Sequence, residues 1–520
     1  MMRKALILIA LGIGMISTPA RAVFAQAEEP SKEPANAAQA KPASEAAPKE
    51  ESSVTEHTIR IGGETIPYKA TASTTLLKND KGEPVALMYS TAYTRSDVKD
   101  LSQRPIAFIY NGGPGSASLW LHMGAFGPRR VVTENAAPTG PGPYQIVDNP
   151  NCLLDKTDMV FIDPVGTGFS HVVGKGENKD FWGIDEDVRS LAQFIQTYIS
   201  RNGRWDSPKL LIGESYGTFR SVTLGNYLQD HDGIYINGIV LISSVLDIST
   251  LEFNLGDDRS YIFYLPSYAA AAWYYKTLKN RPDDLDGFLK QARDFASTEY
   301  AAALMKGSNL SDAEKTSVAD KLSDFTGIGA DYFIKANLRV NLAQFEAELE
   351  RSRGLVVGRY DSRYSGPVQD LIAESAMYDP SFSAVSGAFT AAINSYLRDD
   401  LKFNPEMTYL ALPNDVSQHW DWKHGREGGF PGPASVDQDM VSAFLENTHL
   451  RVQVENGFFD MATPFFATEY TMDHLGLPPE LRSRIEFQYY RSGHMIYLNE
   501  KELPRLKANI AAFIDEATKP

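Results

Sequence analysis

The feature that most constrains this chain is a repeated alternation of short, wholly apolar runs with amphipathic helical periods. Ile106-Ala107-Phe108-Ile109-Tyr110 is apolar throughout, and so is Met159-Val160-Phe161-Ile162. A strand wetted on one side alternates apolar with polar residues. A run without alternation is buried on both faces. Ile184, Val188, Leu191, Ile195 and Ile199 then recur at the spacing of one helix face. Further strands are expected at Lys209-Leu210-Leu211-Ile212 and Ile239-Val240-Leu241-Ile242. Buried strands that alternate with helices imply a mostly parallel central sheet with helices on both faces.

The flanking regions differ. Ile59-Arg60-Ile61 and Ala86-Leu87-Met88-Tyr89 read as strands with Asn79-Asp80-Lys81-Gly82 as a turn between them, which predicts an antiparallel opening hairpin. From about residue 250 to 430 the alternation fails. Residues 265–278 are rich in Tyr, Ala and Trp, and Ile334, Leu338, Leu342, Phe345 and Leu349 predict one long amphipathic helix. We read 251–430 as a mainly helical cap insertion that lies over the site and lines a pocket with aromatics from 261–275, although most of those side chains are expected to serve an ordinary hydrophobic core. The sheet resumes at Leu450-Arg451-Val452-Gln453-Val454 and Ile485-Glu486-Phe487-Gln488-Tyr489, and a last helix carries Leu506, Ile510, Phe513 and Ile514. The α/β core is thus expected in two parts, 55–250 and 431–520. A chain of 520 residues accommodates such a core with a large insertion.

Arg3 and Lys4 precede an apolar run of about 12 residues, 5–16, which is the length of a secretory signal core and short of the ~20 that span a bilayer. Ala20-Arg21-Ala22 and Ala25-Gln26-Ala27 offer cleavage sites. We expect a signal peptide over 1–22, rather than an uncleaved anchor, and a disordered Ala/Pro/Glu linker over 23–54. The mature protein is expected to be exported, periplasmic or extracellular, without a stable membrane anchor. A net charge of −16 argues against nonspecific nucleic-acid binding. Cys152 is the one cysteine, so no intrachain disulfide forms, and beside Leu153 and Leu154 it reads as a core residue. There is no H-E-x-x-H motif and no close cysteine or histidine cluster, so no metal or cofactor is implied.

Gly213-Glu214-Ser215-Tyr216-Gly217 fits G-x-S-x-G and sits between a strand and a helical pattern. That is the setting of a nucleophile elbow, and it points to an α/β-hydrolase fold. A serine hydroxyl needs a base within reach and a carboxylate to orient that base, in the chain order Ser, Asp or Glu, His. Asp460, just past one strand, and His494, past the next, supply that order; Asp473 and His474 are the alternatives. Asn111-Gly112-Gly113-Pro114-Gly115 follows a buried strand, and the N–H groups of Gly113 and Tyr216 are the expected oxyanion donors. No Gly-Lys-Ser/Thr follows this loop, which speaks against a phosphate cradle.

These segments together resemble the serine carboxypeptidase family. Asn111 to Ser116 resembles its NGGPG segment, and Pro164-Val165-Gly166-Thr167-Gly168-Phe169-Ser170 its P-V-G-x-G-F-S segment. The acidic residue usual two places before that proline is Ile162 here, with Asp163 one place nearer. Gly213 to Gly217 resembles GESY(A/G)G, and Gly457 to Asp460 and Gly493-His494-Met495 resemble the Asp and His segments. Leu265-Pro266-Ser267-Tyr268 and Tyr360-Asp361-Ser362-Arg363 look more like bacterial exported members than vacuolar or plant ones. The resemblance implies a peptide substrate whose free carboxylate is held by Asn111 and Glu214. A second family glutamate, in an E-x-G-P segment, is Ala125 here, which implies a less acidic optimum or a shifted substrate. Arg129 and Arg130 follow and could offer positive charge instead. The family's cysteine after NGGPG is Ser116. The same machinery could serve an esterase or acyltransferase, and a non-catalytic binding protein is the third reading.

Overall fold

The computed structural model describes residues 48–425 and 433–519. The expected signal peptide, and the expected linker up to residue 47, lie outside the described residues. The main sheet has ten strands: β1 (Ser52–Ile61), β2 (Glu64–Lys78), β3 (Pro84–Arg95), β4 (Ile106–Tyr110), β5 (Asp158–Ile162), β6 (His171–Val172), β7 (Lys209–Glu214), β8 (Gly238–Ile242), β9 (Arg451–Gly457) and β10 (Ile485–Tyr490). Their order is β1-β2-β3-β5-β4-β7-β8-β9-β10, with β6 beside β3. From β5 to β10 every neighbouring pair is parallel, and β1, β2 and β3 add an antiparallel edge.

The apolar runs explain the layering. Ala107 and Ile109 of β4 point into one core with Leu210, Ile212 and Leu506, Ile510 and Ile514 of the C-terminal helix Leu503–Ala517. Ile106, Phe108 and Tyr110 point into the other, with Leu211 and with Val188 of α1 (Ile184–Arg201) and Val222 of α2 (Tyr216–Asp232). Alternate residues thus serve opposite faces, and helices cover both. This is an α/β-hydrolase architecture with a mostly parallel sheet.

Three expectations need correction. The opening element is a three-stranded meander: Gly62 and Gly63, both at positive φ, turn β1 into β2, and Asn79–Gly82 turns β2 into β3. The linker ends earlier than residue 54, because β1 starts at Ser52. Just before it, Glu50 accepts the Leu76 N–H at 2.8 Å and pairs with Arg201 at 2.9 Å. The single helix over 334–349 is two, Ala330–Lys335 and Leu342–Glu348. Asn337 and Leu338 sit at φ 52° and 66° between them, and Asn341 caps the second through a capping box with Gln344. The apolar spacing survives the break because Leu338 and Phe345 fill the same core.

Between β8 and β9 the described chain is mainly helical, with α3 (Arg259–Tyr275) and a small hairpin, Leu355–Val357 with Ser365–Pro367. Part of it has its own core around Tyr268, Leu289 and Phe345. Helix Ser386–Ser395 instead packs Ala388, Phe389 and Ile393 into the sheet's core beside Trp120.

Candidate active site

The nucleophile elbow is built by close backbone approach. Ser215 stands between β7 and α2 at φ 61°, ψ −130°, a strained conformation that a non-glycine residue adopts only when its surroundings fix it. Its N–H donates to Ile242 O at 3.0 Å and its carbonyl accepts from Thr218 N–H at 2.8 Å. A Cβ on Gly112 would collide with the backbone nitrogens of Tyr216 and Gly217, so only glycine lets the 111–115 loop lie on the elbow. The N–H groups of Gly113 and Tyr216 have no acceptor among the described residues, and both residues line the same cleft as Ser215.

On the other side stand His494 and Asp460. His494 Nδ1 lies 2.8 Å from Asp460 Oδ2. Asp460 is fully buried and also accepts from the N–H groups of Ala462 and Thr463 at 2.8 and 2.9 Å and from the Thr463 hydroxyl at 2.8 Å. Burial pulls the His494 pKa down, but the Asp460 and Glu214 carboxylates together outweigh it and the net shift is upward. No hydrogen bond joins the Ser215 hydroxyl to the imidazole, a contact that in hydrolases commonly tightens only with substrate bound. The alternatives lie elsewhere: Asp473 pairs with Arg482 at 2.5 Å and His474 is exposed, bonded to Tyr470 O.

Asn111 and Glu214 complete the cleft. Asn111 Nδ2 donates to Glu214 Oε1 at 2.7 Å, and its Oδ1 accepts the Leu121 N–H at 3.0 Å. Glu214 is buried and its Oε2 has no partner. Desolvation pushes its pKa up to about 7, against the lowering influence of His494, Tyr497 and Asn111. Beneath them Arg220 bonds Asn111 O at 2.6 Å and forms a fully buried ion pair with Asp187 at 2.6 Å.

The cleft holds about 240 Å³. Its aromatic walls are Trp120, Tyr360, Phe382 and Trp422, and no residue of 261–275 lines it. The α3 aromatics pack into the insertion's own core; Tyr268, for instance, stacks on Phe345 at 3.9 Å. Neither Arg129 nor Arg130 reaches the cleft: they pair with Asp148 and Glu500. The guanidinium on the cleft wall belongs to Arg359, which sequence reasoning missed. Its segment threads between the Asp460 and His494 loops: Met461 N–H donates to Arg359 O, His494 N–H to Tyr360 O at 2.6 Å, and Ser362 N–H to Phe459 O. Asp163 lies buried outside the cleft, accepting the Ser118 N–H, and Ala125 is fully buried in the core.

The serine carboxypeptidase family model matches residues 67–250. Over this stretch the chain is similar to the serine carboxypeptidase family. It is 29% identical over 147 residues to the pheromone-processing carboxypeptidase KEX1 of Saccharomyces cerevisiae, covering 27% of this chain and 19% of that one. It is 29% identical over 136 residues to the human retinoid-inducible serine carboxypeptidase, covering 26% of this chain and 27% of that one. The chain therefore spans about a fifth to a quarter of the length of these relatives. The solved structure of the yeast prohormone-processing carboxypeptidase Kex1 matches with a TM-score of 0.52 at 15% identity, over 85% of this chain and 92% of that one, which shows a shared fold.

Proposed function

We propose that this protein is a serine-type carboxypeptidase that releases C-terminal residues from peptides through an acyl-enzyme on Ser215. The observation that carries the reading is the protonatable Glu214 carboxyl, its Oε2 free of any partner among the described residues, beside Asn111 and in the same cleft as Ser215 and the His494–Asp460 pair. A protonated Glu and an amide N–H can both donate to a substrate's terminal carboxylate, whereas an ionised Glu repels it.

In this mechanism Ser215 Oγ attacks the scissile carbonyl as its proton passes to His494 Nε2. Asp460 holds Nδ1–H and stabilises the imidazolium. The oxyanion receives the N–H groups of Gly113 and Tyr216. His494 then gives its proton to the leaving amine and the C–N bond breaks. Water, deprotonated by the same imidazole, cleaves the acyl-enzyme and restores Ser215. We place this activity outside the cytoplasm, as the N-terminal signal pattern predicts. Among the described residues no helix is long and apolar enough to cross a membrane.

The test compares an N-blocked dipeptide with its C-terminal amide and its ester, from pH 4 to 8. Release of the last residue from the free acid, with the amide much poorer and Ser215→Ala lower by about five to six orders of magnitude in kcat, is expected. Equal turnover of acid and amide, or of esters alone, would reassign the same residues to an esterase or acyltransferase.

A further inference from the structure

Arg359 places a positive charge on the cleft wall that no step above uses. Its backbone is fixed at both ends: its carbonyl accepts the Met461 N–H at 3.1 Å and its N–H donates to Asp379 Oδ1 at 3.3 Å. Its side chain is exposed to the cleft, with the guanidinium carbon 5.5 Å from the centroid of the Tyr360 ring. Among the described residues that guanidinium makes no hydrogen bond and no ion pair, although its fork is suited to grip a carboxylate bidentately.

The two carboxylates that act on it, Glu346 and Asp379, are not bonded to it. Glu346 is buried, its Oε1 lacks a partner, and desolvation pushes its pKa up to about 8, so it is mostly uncharged at neutral pH. Asp379 is engaged by the N–H groups of Arg359, Tyr360, Ser381 and Phe382 and by the Ser381 hydroxyl. The charge does reach the reacting groups, since it lowers the His494 pKa. The groups acting on Glu214 are instead His494, Tyr497, Asn111 and Asp460. The terminal-carboxylate pair sits on the sheet's strand ends, while Arg359 comes from the insertion, between the Asp460 and His494 loops. Two separate walls of one small cleft therefore offer two places for negative charge.

We propose that Arg359 selects peptides carrying an aspartate or glutamate side chain at one of the two residues flanking the scissile bond. This rests on the carboxypeptidase reading, with the terminal carboxylate held by Asn111 and Glu214. The probes are four N-blocked dipeptides at pH 7, Glu-Ala against Gln-Ala and Ala-Glu against Ala-Gln, assayed as free acids and as C-terminal methyl esters. At one position kcat/KM is expected to favour Glu over Gln by about tenfold or more, and the ratio falls with added salt. Arg359→Gln brings the ratio near one, Arg359→Lys keeps part of it, and Arg129→Gln, away from the cleft, retains it. Fluorophosphonate labelling of each variant at Ser215 reports that the fold is intact. A wild-type ratio near one at both positions overturns the proposal, as does a ratio unchanged by Arg359→Gln. A loss in Arg359→Gln that is equal for Glu and Gln free acids and absent from the esters also overturns it, by making the guanidinium a reader of the terminal carboxylate. Should only esters turn over, the carboxypeptidase reading fails, and the Glu/Gln ratio on the esters still decides the role of Arg359.

Discussion

The two halves of the cleft are held in place by different physics. The Ser215 half is made from backbone packed on backbone: the glycine loop lies on the elbow, the elbow's N–H is tied to β8, and the buried Arg220–Asp187 pair braces both from below. All of it comes from one continuous stretch, and the family model covers that stretch. The His494–Asp460 half sits on two loops from the far end of the chain, and a segment of the insertion stitches them together through Arg359 O, Tyr360 O and Ser362 N–H. Ser215 is thus placed by the core, while the loops of Asp460 and His494 are held together by the insertion. A scaffold divided in this way can change its insertion and alter both the specificity and the base geometry while leaving the elbow untouched.

The largest effect should come from the glycine contact. Gly112→Ala forces a Cβ against the Tyr216 and Gly217 nitrogens, which moves an oxyanion donor. We expect kcat to fall by about two orders of magnitude or more, because a misplacement near 1 Å costs that much. A near-normal kcat would mean the two backbones do not need this approach. Next, Asp187→Asn leaves the Arg220 guanidinium buried without its countercharge. Stability should drop by about 3–5 kcal/mol, read by denaturant unfolding, since removing one partner of a buried pair strands the other. An equal loss from a surface pair such as Arg129–Asp148 would erase the distinction drawn here.

The same division decides what could be read from the sequence. Ser215, Gly113 and Tyr216 are legible because a strand, a tight turn and a helix are local features, and the required glycines stand beside them. Asp460 and His494 follow from chain order, because parallel strands deliver their loops to one edge. Arg359 was invisible: nothing in its neighbours distinguishes it from a surface arginine, and only tertiary packing brings it to the cleft. The residues of the aromatic wall were hidden for the same reason. The 261–275 stretch is aromatic, but its rings satisfy the insertion's own core, while Trp120, Tyr360, Phe382 and Trp422 converge from four separate segments. The break at Asn337–Leu338 was hidden because both helices keep the apolar phase of one.

A smaller effect is expected at the stitch. Arg363 pairs with the buried Asp361 at 2.6 Å and reaches Ser492 Oγ at 3.2 Å. Arg363→Gln should loosen Tyr360 O as the acceptor of the His494 N–H. We expect kcat to fall by roughly tenfold with KM little changed, the scale of one charged hydrogen bond. A loss confined to KM would show that the segment serves substrate binding and does not place the base.

Glu214 joins the two halves, since it lies in the core and its charge acts on His494. Below its pKa of about 7 it is protonated and can donate to the terminal carboxylate; above it, the ionised form repels that carboxylate, so KM for free acids should climb through neutrality. Glu214→Gln keeps a donor at every pH and removes the negative charge that raises the His494 pKa. Two shifts should follow in pH profiles of the variant: a KM that stays flat above pH 7, and an acid limb of kcat displaced to lower pH because His494 sheds its proton more readily. The variant should therefore equal or exceed the wild type above pH 7 and retain a larger share of its maximal kcat than the wild type does at pH 5. A KM that still rises above pH 7 in Glu214→Gln would assign the titration to another group, and a kcat limb that does not move would mean that the two halves of the cleft titrate independently.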